Sequence, residues 1–259
     1  MNTTKSVFGA NVSERRAVSG QARTFFSSSP TVDSIDSAQR RRLIEELDPT
    51  AREQVAKLVH NLLLLRDASD IRFVVVCATR HKEGCSWISS RTAEGLAGQL
   101  QGSVCLVDAN LRSPSLHQSF GLPPEPGFSD ALISFRPIAE YAKTASKLRE
   151  DKLWIIPCGS PNPDPNTLLT SERLQSRCNE LRSAFDYVLI DAPPLSSYTD
   201  ALTLARFSDG ALMVMESNST RRETARKCQE TLVAARVKLL GAVLNKRTFP
   251  VPDALYRRF

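Results

Sequence analysis

Apolar residues form short runs that do not alternate with polar ones, and segments with helical spacing separate these runs. The runs predict six strands, at Arg72–Cys77, Ser103–Asp108, Leu153–Ile156, Tyr187–Asp191, Gly210–Met215 and Leu239–Leu244. A strand that is buried on both faces has no polar side, so such runs are typical of a parallel sheet covered by helices. We therefore predict an α/β fold with a doubly wound, mostly parallel sheet.

Apolar residues at helical spacing predict the covering helices. They fall at Ser37–Glu46, Pro49–Leu65, Ser86–Leu100, Phe128–Ile133, Ser171–Phe185, Thr199–Phe207 and Arg221–Ala235. The first residues are rich in Ser, Thr, Asn and Gly, which is typical of a disordered tail. The predicted organisation is a disordered tail over 1–36, N-terminal helices over 37–70, the α/β domain over 71–249 and a C-terminal tail over 250–259.

Composition narrows the classes of protein. The 259 residues, 41% of them hydrophobic, suit one α/β domain with a tail. No apolar run approaches the roughly 20 residues of a membrane helix, and no secretory signal opens the chain, so we expect a cytoplasmic protein. Six scattered cysteines argue against a zinc site or a disulfide framework. The net charge of +6 lies largely in short arginine clusters, which favour a solvated surface over nucleic-acid binding, although an acidic or membrane-proximal partner would also suit them.

The segment between the first predicted strand and its helix resembles a phosphate-binding loop. Such loops read G-x-x-x-x-G-K-[ST]. Gly84 and Ser86 match this pattern, Thr79 stands at the first glycine, and Cys85 stands at the lysine. The backbone amides of the loop and the start of the helix would favour phosphate oxygens, and Ser86 could place a hydroxyl on Mg²⁺.

Several residues of this loop have two interpretations. Arg80 or Lys82 could supply the charge that Cys85 lacks, or these residues with His81 could simply form a solvated polar loop. Cys85 could be a small packing residue, or the helix start could lower its thiol pKa and make it oxidisable. Trp87 could anchor the core or stack on a base.

Two acidic residues end predicted strands. Asp108 follows Val104–Val107, and Asp191 follows Tyr187–Ile190. Ligands of doubly wound sheets bind beyond the carboxyl ends of the strands, and Mg²⁺ needs few protein carboxylates because it keeps several waters. The sequence thus predicts that both carboxylates, with Ser86, serve a Mg²⁺–nucleotide site.

Longer motifs make the resemblance specific. They are Leu106–Leu122, Pro126–Leu132, Gly159–Pro165, Phe185–Pro194, Thr199–Ala201, Asp209–Gly210 and Gly241–Asn245. Together they resemble the bacterial tyrosine kinases (BY-kinases) of capsule and exopolysaccharide export, a family of deviant P-loop ATPases. The resemblance covers roughly residues 50 to 247.

The resemblance implies a role for each matching residue. Gly84 and Ser86 belong to the first nucleotide motif, together with the neighbouring loop residues Arg80, Lys82, Cys85 and Trp87. Asp108 assists metal binding and activates the attacking tyrosine, Asp191 is the metal-associated acid of the third motif, and Asn245 contacts adenine. The implied cofactors are ATP and Mg²⁺. The family ends in a tyrosine cluster, where this chain offers Tyr256 as phospho-acceptor.

The resemblance also implies partners. A separate transmembrane regulator of polysaccharide chain length would hold the protein at the inner membrane. A homo-oligomer is a further expectation, although Glu53–Leu58 lacks a clear copy of the family's arginine pattern. No nucleic-acid partner is expected.

Three functions remain open from the sequence. The first is an ATP-dependent tyrosine kinase that controls polysaccharide polymerisation or export. The second is a pseudokinase that keeps the fold as a docking module, because Cys85 replaces the lysine and Tyr256 stands in place of a tyrosine cluster. Asn110, where many members carry a second acid, is a milder departure. The third is a partitioning-type ATPase, against which the segment Pro114–His117 argues.

Overall fold

The fold is built on a seven-stranded sheet. The computed structural model describes residues 49–144 and 152–247. The strands are β1 Phe73–Ala78, β2 Val104–Asp108, β3 Lys143–Thr144, β4 Leu153–Ile156, β5 Tyr187–Ala192, β6 Gly210–Glu216 and β7 Leu239–Asn245. Their order across the sheet is β3-β4-β2-β5-β1-β6-β7, and only the β3–β4 pair is antiparallel. The predicted α/β class is confirmed.

Helices cover both faces of the sheet. They are α1 Pro49–Ser69, α2 Cys85–Gln99, α3 Leu116–Phe120, α4 Phe128–Ile133, α5 Pro165–Leu169, α6 Glu172–Ala184, α7 Asp200–Ala205 and α8 Arg222–Ala234, with a 3₁₀ turn at Ile138–Tyr141. Successive residues of β1 point alternately into two hydrophobic cores, one on each face of the sheet. Val74 and Val76 face α1, α2 and α3, whereas Phe73 and Val75 face α4, α6, α7 and α8. This two-sided burial explains why the strands show no alternation.

The predicted elements agree with the structure except at short segments. Helix α1 ends at Ser69 rather than Leu65, and α3, α5, the 3₁₀ turn and β3 had no counterpart in the sequence analysis. Helix α5 begins in the proline-rich segment because Asp164 caps it, accepting from the Thr167 amide at 3.3 Å, with Pro165 in the first turn.

Several predictions fall outside the described residues. These are the tail over 1–36, the helix Ser37–Glu46, the C-terminal tail and Tyr256. The domain boundaries therefore stay a prediction. Among the described residues, none of the helices is both long and apolar enough for a membrane crossing.

The strand order positions the candidate site. Strand β1 lies between β5 and β6. Strand β2 lies on the β5 side of β1, and strands β6 and β7 lie on its other side. A doubly wound sheet opens a crevice where the winding direction changes, beyond the carboxyl ends of the strands. The loop after β1 and the ends of β2 and β5 meet there.

Candidate functional site

The loop between β1 and α2 begins the site. Gly84 precedes α2 with φ +89°, a left-handed conformation that disfavours any side chain. A Cβ atom at this position would lie 2.3 Å from Nδ2 of Asn245. Glycine is thus required twice, by its backbone conformation and by the approach of β7.

A buried carboxylate holds the loop from within. Glu83 is 1% exposed, and its carboxylate accepts from Thr79 Oγ1 at 2.8 Å, from the Arg80 amide at 2.9 Å and from Thr220 Oγ1 at 2.6 Å. Burial alone would raise the pKa of the Glu83 carboxyl, but these hydrogen bonds and Arg80 hold it below its usual value. The loop is thereby tied to the segment after β6.

The two candidate cations of the loop differ in their surroundings. The Arg80 guanidinium lies 3.5 Å from Glu83 through Nε, and its Nη2 donates to the Ser219 carbonyl and hydroxyl at 3.1 Å. Lys82 has φ +65° and an exposed side chain. Arg80 is therefore already engaged beside the loop, whereas Lys82 is accessible from solvent.

Cys85 lies at the first position of α2. Its Sγ is 3.9 Å from the Ala192 carbonyl. Burial, and then the nearby Asp191 carboxylate, raise the pKa of the Cys85 thiol well above its usual value. Burial and the neighbouring anion therefore favour the interpretation of Cys85 as a small packing residue over that of an acidic thiol. A neutral thiol stands where a phosphate loop carries an ammonium group.

The two predicted acids lie side by side at the ends of adjacent strands. Asp108 of β2 and Asp191 of β5 are register partners in the parallel pair, and their exposed fractions are 0% and 1%. The Asp108 carboxylate accepts from the amides of Asn110, Ser115 and Leu116 at 3.2, 3.1 and 3.0 Å. The expectation that the sheet brings these acids together is confirmed in the structure.

The electrostatics of this pair disfavour two full charges. Burial, followed by the charge of Asp191, raises the pKa of Asp108 to about 7. Burial also raises the pKa of Asp191, partly offset by its polar neighbours. Two buried carboxylates without a cation between them favour protonation, so a bound cation would be strongly attracted.

Asp191 has the spare capacity that a Mg²⁺ ligand needs. Its Oδ1 accepts from Ser89 Oγ at 3.0 Å, while its buried Oδ2 has no hydrogen-bond partner among residues 49–144 and 152–247. Such an unpartnered anionic oxygen is costly in the absence of a ligand. The donor set of Asp191, Asp108 and the half-exposed Ser86 is oxygen-only and fits Mg²⁺.

The remaining predicted residues lie at different places around the loop. Trp87 is 41% exposed, so the interpretation as a core anchor is wrong and a surface role is left. Asn245 lies at the end of β7, where its Nδ2 donates to the Glu83 carbonyl at 2.9 Å. In the structure this side chain therefore contacts the loop itself.

A polar cluster beside the site was not predicted from the sequence. Arg112 donates to both carboxylate oxygens of the buried Asp200, at 2.8 and 3.2 Å, and to Asn166 Oδ1 at 2.7 Å. Its guanidinium lies 4.1 Å from the ring centroid of Tyr198. The rings of Tyr198 and His81 of the loop are nearly perpendicular, with their centroids 5.6 Å apart. Arg112 and Asp200 stood within quoted motifs, which was the only available signal. No sequence signal indicated the pairing of Glu83 with Thr220, because their contact joins segments 137 residues apart.

These features define a class of protein before any comparison is made. A glycine-ended loop between β1 and α2, with acids at the ends of two neighbouring parallel strands, is the arrangement of phosphate-loop nucleotide-binding proteins. A search of protein-family models finds none that matches this chain.

Individual relatives place the chain within that class. It is 30% identical over 211 residues to the tyrosine-protein kinase YwqD of Bacillus subtilis (strain 168), covering 81% of this chain and 87% of YwqD. It is 27% identical over 207 residues to the putative tyrosine-protein kinase CapB of Staphylococcus aureus, covering 80% and 89%. The chain belongs to the bacterial tyrosine kinase family.

Other similarities concern parts of larger proteins or the fold alone. The succinoglycan biosynthesis transport protein ExoP of Rhizobium meliloti (strain 1021) is 28% identical over 218 residues, 82% of this chain but 27% of ExoP. The crystal structure of the chimerical protein CapA2B2 matches with a TM-score of 0.72 at 26% identity, covering 91% of this chain and 100% of that one. The MinD protein of Pyrococcus horikoshii, solved with Mg-ADP, shares the fold at a TM-score of 0.56 and 18% identity, over 72% and 76% of the two chains.

Proposed function

We propose that this chain is the nucleotide-binding, kinase-like subunit of an exopolysaccharide or capsule export system. The observation that carries the proposal is the pairing of Asp108 and Asp191 beside the Gly84 loop. The names of YwqD, CapB and ExoP support the reaction class and the setting. ATP with Mg²⁺ is the proposed cofactor, and the MinD structure with Mg-ADP supports that choice.

The loop and α2 would bind the phosphates of ATP. Within the described ranges, the Glu83 amide closes the turn over His81 and Lys82, and the other amides of residues 81–87 are available to phosphate oxygens. Asp191, Asp108 and Ser86 would hold Mg²⁺, which supplies positive charge to the phosphates when bound. Lys82 is the cation best placed to assist, because its side chain is exposed on the loop, whereas Arg80 is engaged by Glu83 and Ser219.

Phosphoryl transfer would then use a tyrosine as acceptor. The phenol oxygen forms a bond to the γ-phosphorus, the bond from that phosphorus to the β–γ bridging oxygen breaks, and ADP leaves. Asp108 would accept the phenol proton, because it lies at the end of β2 beside Asp191, where the attacking hydroxyl would approach. The proposed acceptor is Tyr256, on the same chain or on a neighbouring copy.

Partners follow from the same proposal. A transmembrane regulator of chain length would hold the subunit at the cytoplasmic side of the inner membrane, an inference supported by the transport role in the name of ExoP. Copies of the chain would assemble with one another, and nucleic acid is not a proposed partner.

A second candidate, the pseudokinase, is favoured by one specific observation. The neutral thiol of Cys85 cannot supply the compact charge of an ammonium group to the β- and γ-phosphates. In that case the subunit would keep the fold as a docking module and bind MgATP weakly or not at all.

Calorimetry with MgATP separates the two candidates. We expect the wild-type protein to bind MgATP, Lys82→Ala to bind about tenfold more weakly, and Cys85→Lys to bind more tightly. No binding by the wild type, with binding gained in Cys85→Lys, would exclude the kinase and favour the pseudokinase. If the wild type binds, phosphotyrosine detection in wild type and Tyr256→Phe tests transfer, and a signal that persists in Tyr256→Phe places the acceptor elsewhere.

A further inference from the structure

The end of β7 contacts the outer side of the phosphate loop through two consecutive side chains. Asn245 Nδ2 donates to the Glu83 carbonyl at 2.9 Å, and Lys246 Nζ donates to the Lys82 carbonyl at 2.6 Å. Two neighbouring residues of β7 and its exit therefore hold two neighbouring carbonyl groups of the loop. We call this pair of contacts the β7 clasp.

The clasp determines where the next two amides point. A trans peptide is planar, and its carbonyl and its N–H project in opposite directions. Holding the carbonyls of Lys82 and Glu83 toward β7 therefore turns the N–H groups of Glu83 and Gly84 toward the opposite side, away from β7. The Gly84 N–H meets no acceptor in the part of the chain that the structure describes, whereas the Glu83 N–H closes the turn over His81 and Lys82.

Contacts from within the loop complete this restraint. The Glu83 side chain accepts from the Arg80 amide and from Thr79 Oγ1, so the beginning of the loop is fixed to its end. Lys246 Nζ also lies 3.5 Å from Glu216 Oε1, which connects the clasp to the end of β6. The loop is thus held on its outer side by β7 and on its inner side by its own carboxylate.

The approach of β7 leaves no spare room at the loop. A Cβ atom on Gly84 would fall 2.3 Å from Asn245 Nδ2, so the amide group of Asn245 occupies the space that any larger residue would need. The contact with Glu83 uses one of the two N–H groups on Asn245 Nδ2. The second N–H and the Oδ1 acceptor are not required by this contact, so a base contact must be tested separately.

We propose that Asn245 and Lys246 are positioning residues, which hold the peptide groups before Glu83 and Gly84 so that the Gly84 amide points toward the phosphates of the nucleotide. This role rests on the proposed function of the site. It matters more here than in a loop with a lysine, because Cys85 contributes no charge and the fixed amide dipoles therefore supply a larger share of the attraction for the phosphates. The ligand class recognised through the clasp is the di- or triphosphate group, regardless of the base.

Binding of three Mg²⁺-complexed ligands tests this role. The ligands are pyrophosphate, ADP and GDP, measured by calorimetry on the full chain. Asn245→Ala removes the donor without changing the charge, and we expect it to weaken all three ligands by the same factor, about tenfold. A base contact would instead weaken ADP alone and leave pyrophosphate unchanged, and that result would overturn the proposal.

Substitutions at Lys246 separate the hydrogen bond from the charge. Lys246→Met should weaken the three ligands to a similar extent, whereas Lys246→Arg, which retains a donor, should restore much of the affinity. Lys238→Met is the matched control, because it removes one exposed lysine at the opposite end of β7, just before the strand begins. If Lys246→Met and Lys238→Met weaken ligand binding equally, Lys246 acts only through its positive charge and not through the clasp.

A measurement without ligand keeps the two proposals distinguishable. Backbone ¹⁵N order parameters at Glu83 and Gly84 should be near 0.85 in the wild type, about the value of a rigid backbone, and fall below about 0.6 in the Asn245→Ala/Lys246→Met double variant. Unchanged order parameters would refute the clasp even if nucleotide binds. If no phosphate ligand binds the wild type, the proposed function fails, while the order parameters still decide whether β7 holds the loop.

Discussion

Glu83 and Asp108 are both buried carboxylates at this site, yet their pKa values move in opposite directions. Hydrogen bonds from Thr79, Thr220 and the Arg80 amide stabilise the charged form of Glu83 and outweigh its burial. Asp108 accepts three amides, but burial and a neighbouring carboxylate prevail and raise its pKa. The number of donors does not decide the outcome: hydrogen bonds, that from Thr220 first among them, prevail at Glu83, whereas burial and then the charge of Asp191 prevail at Asp108.

The Glu83→Gln variant tests the stabilising role of the first carboxylate. A lowered pKa means that the folded state binds this proton less readily than the unfolded state, so the contribution is present above pH 4.5 and is lost as the pH falls through the folded value. We expect Glu83→Gln to lower the free energy of unfolding at pH 7 by about 1–3 kcal/mol. Denaturant unfolding at pH 7 and pH 4 measures this, and an equal loss at both pH values would show that the charge is irrelevant.

The Asp191→Asn variant tests the opposite effect. Because the pKa values of Asp108 and Asp191 are raised, the folded state binds more protons, and stability falls as the pH rises from 3.8 through about 7. Removing one buried charge should therefore stabilise the Mg²⁺-free protein at pH 8, by about 1–2 kcal/mol, and change little near pH 4. Urea unfolding in EDTA at both pH values measures this. A variant that is less stable than wild type at pH 8 would contradict the charge pairing.

At the scale of elements, the loop depends on where helix α2 starts and on how closely β7 approaches. Gly84 has a left-handed backbone and faces Asn245 at contact distance. Gly84→Ala should therefore lower the free energy of unfolding by about 1–3 kcal/mol, from backbone strain and displacement of the clasp. Gly241→Ala in β7 is the matched control, because its Cβ would meet only a Leu212 methyl group at 3.7 Å. Thermal unfolding of both variants measures the difference. If both variants lose the same free energy of unfolding, glycine is not specifically required at position 84.

The long helices and strands could be predicted from the sequence because their buried positions are occupied by apolar residues. Strands β1 and β5 are buried on both faces, so β1 carries no charged residue and β5 carries only Asp191, next to its last residue. Helices α3 and α5 each have five residues, fewer than two turns, so no periodicity can develop. Their positions depend on caps and on contacts with the site loops instead.

The candidate site was predictable only where it follows strand ends. Asp108 and Asp191 could be placed together because parallel strands end at one edge of the sheet. The contacts of Glu83 with Thr220 and of Asn245 with the loop join residues 137 and 162 positions apart, and no local pattern encodes such pairings. The exposure of Trp87 was missed for the same reason, since it depends on what packs against the first turn of α2.

At the scale of the whole molecule, the site is assembled from elements spread across the sheet. Strands β1, β2, β5 and β7 each end at it, and the segment after β6 binds Glu83. Local rearrangement of the loop is therefore resisted by most of the sheet. A ligand that binds only this assembled form should stabilise the entire fold against unfolding rather than one segment.

Thermal unfolding with ligand tests this coupling together with the role of Cys85. A ligand at one hundred times its Kd adds about 2.7 kcal/mol, which raises the Tm of a domain of this size by about 5–10 °C. We expect MgADP to raise the Tm of wild type, and to raise it more in Cys85→Lys at the same concentration, because an ammonium group beside Asp191 both neutralises that acid and attracts phosphate. If MgADP raises the Tm of Cys85→Lys but not of wild type, the wild-type protein is a docking module. If the Tm shifts in neither protein, nucleotide does not bind at this site, because restoring the lysine would then not restore binding.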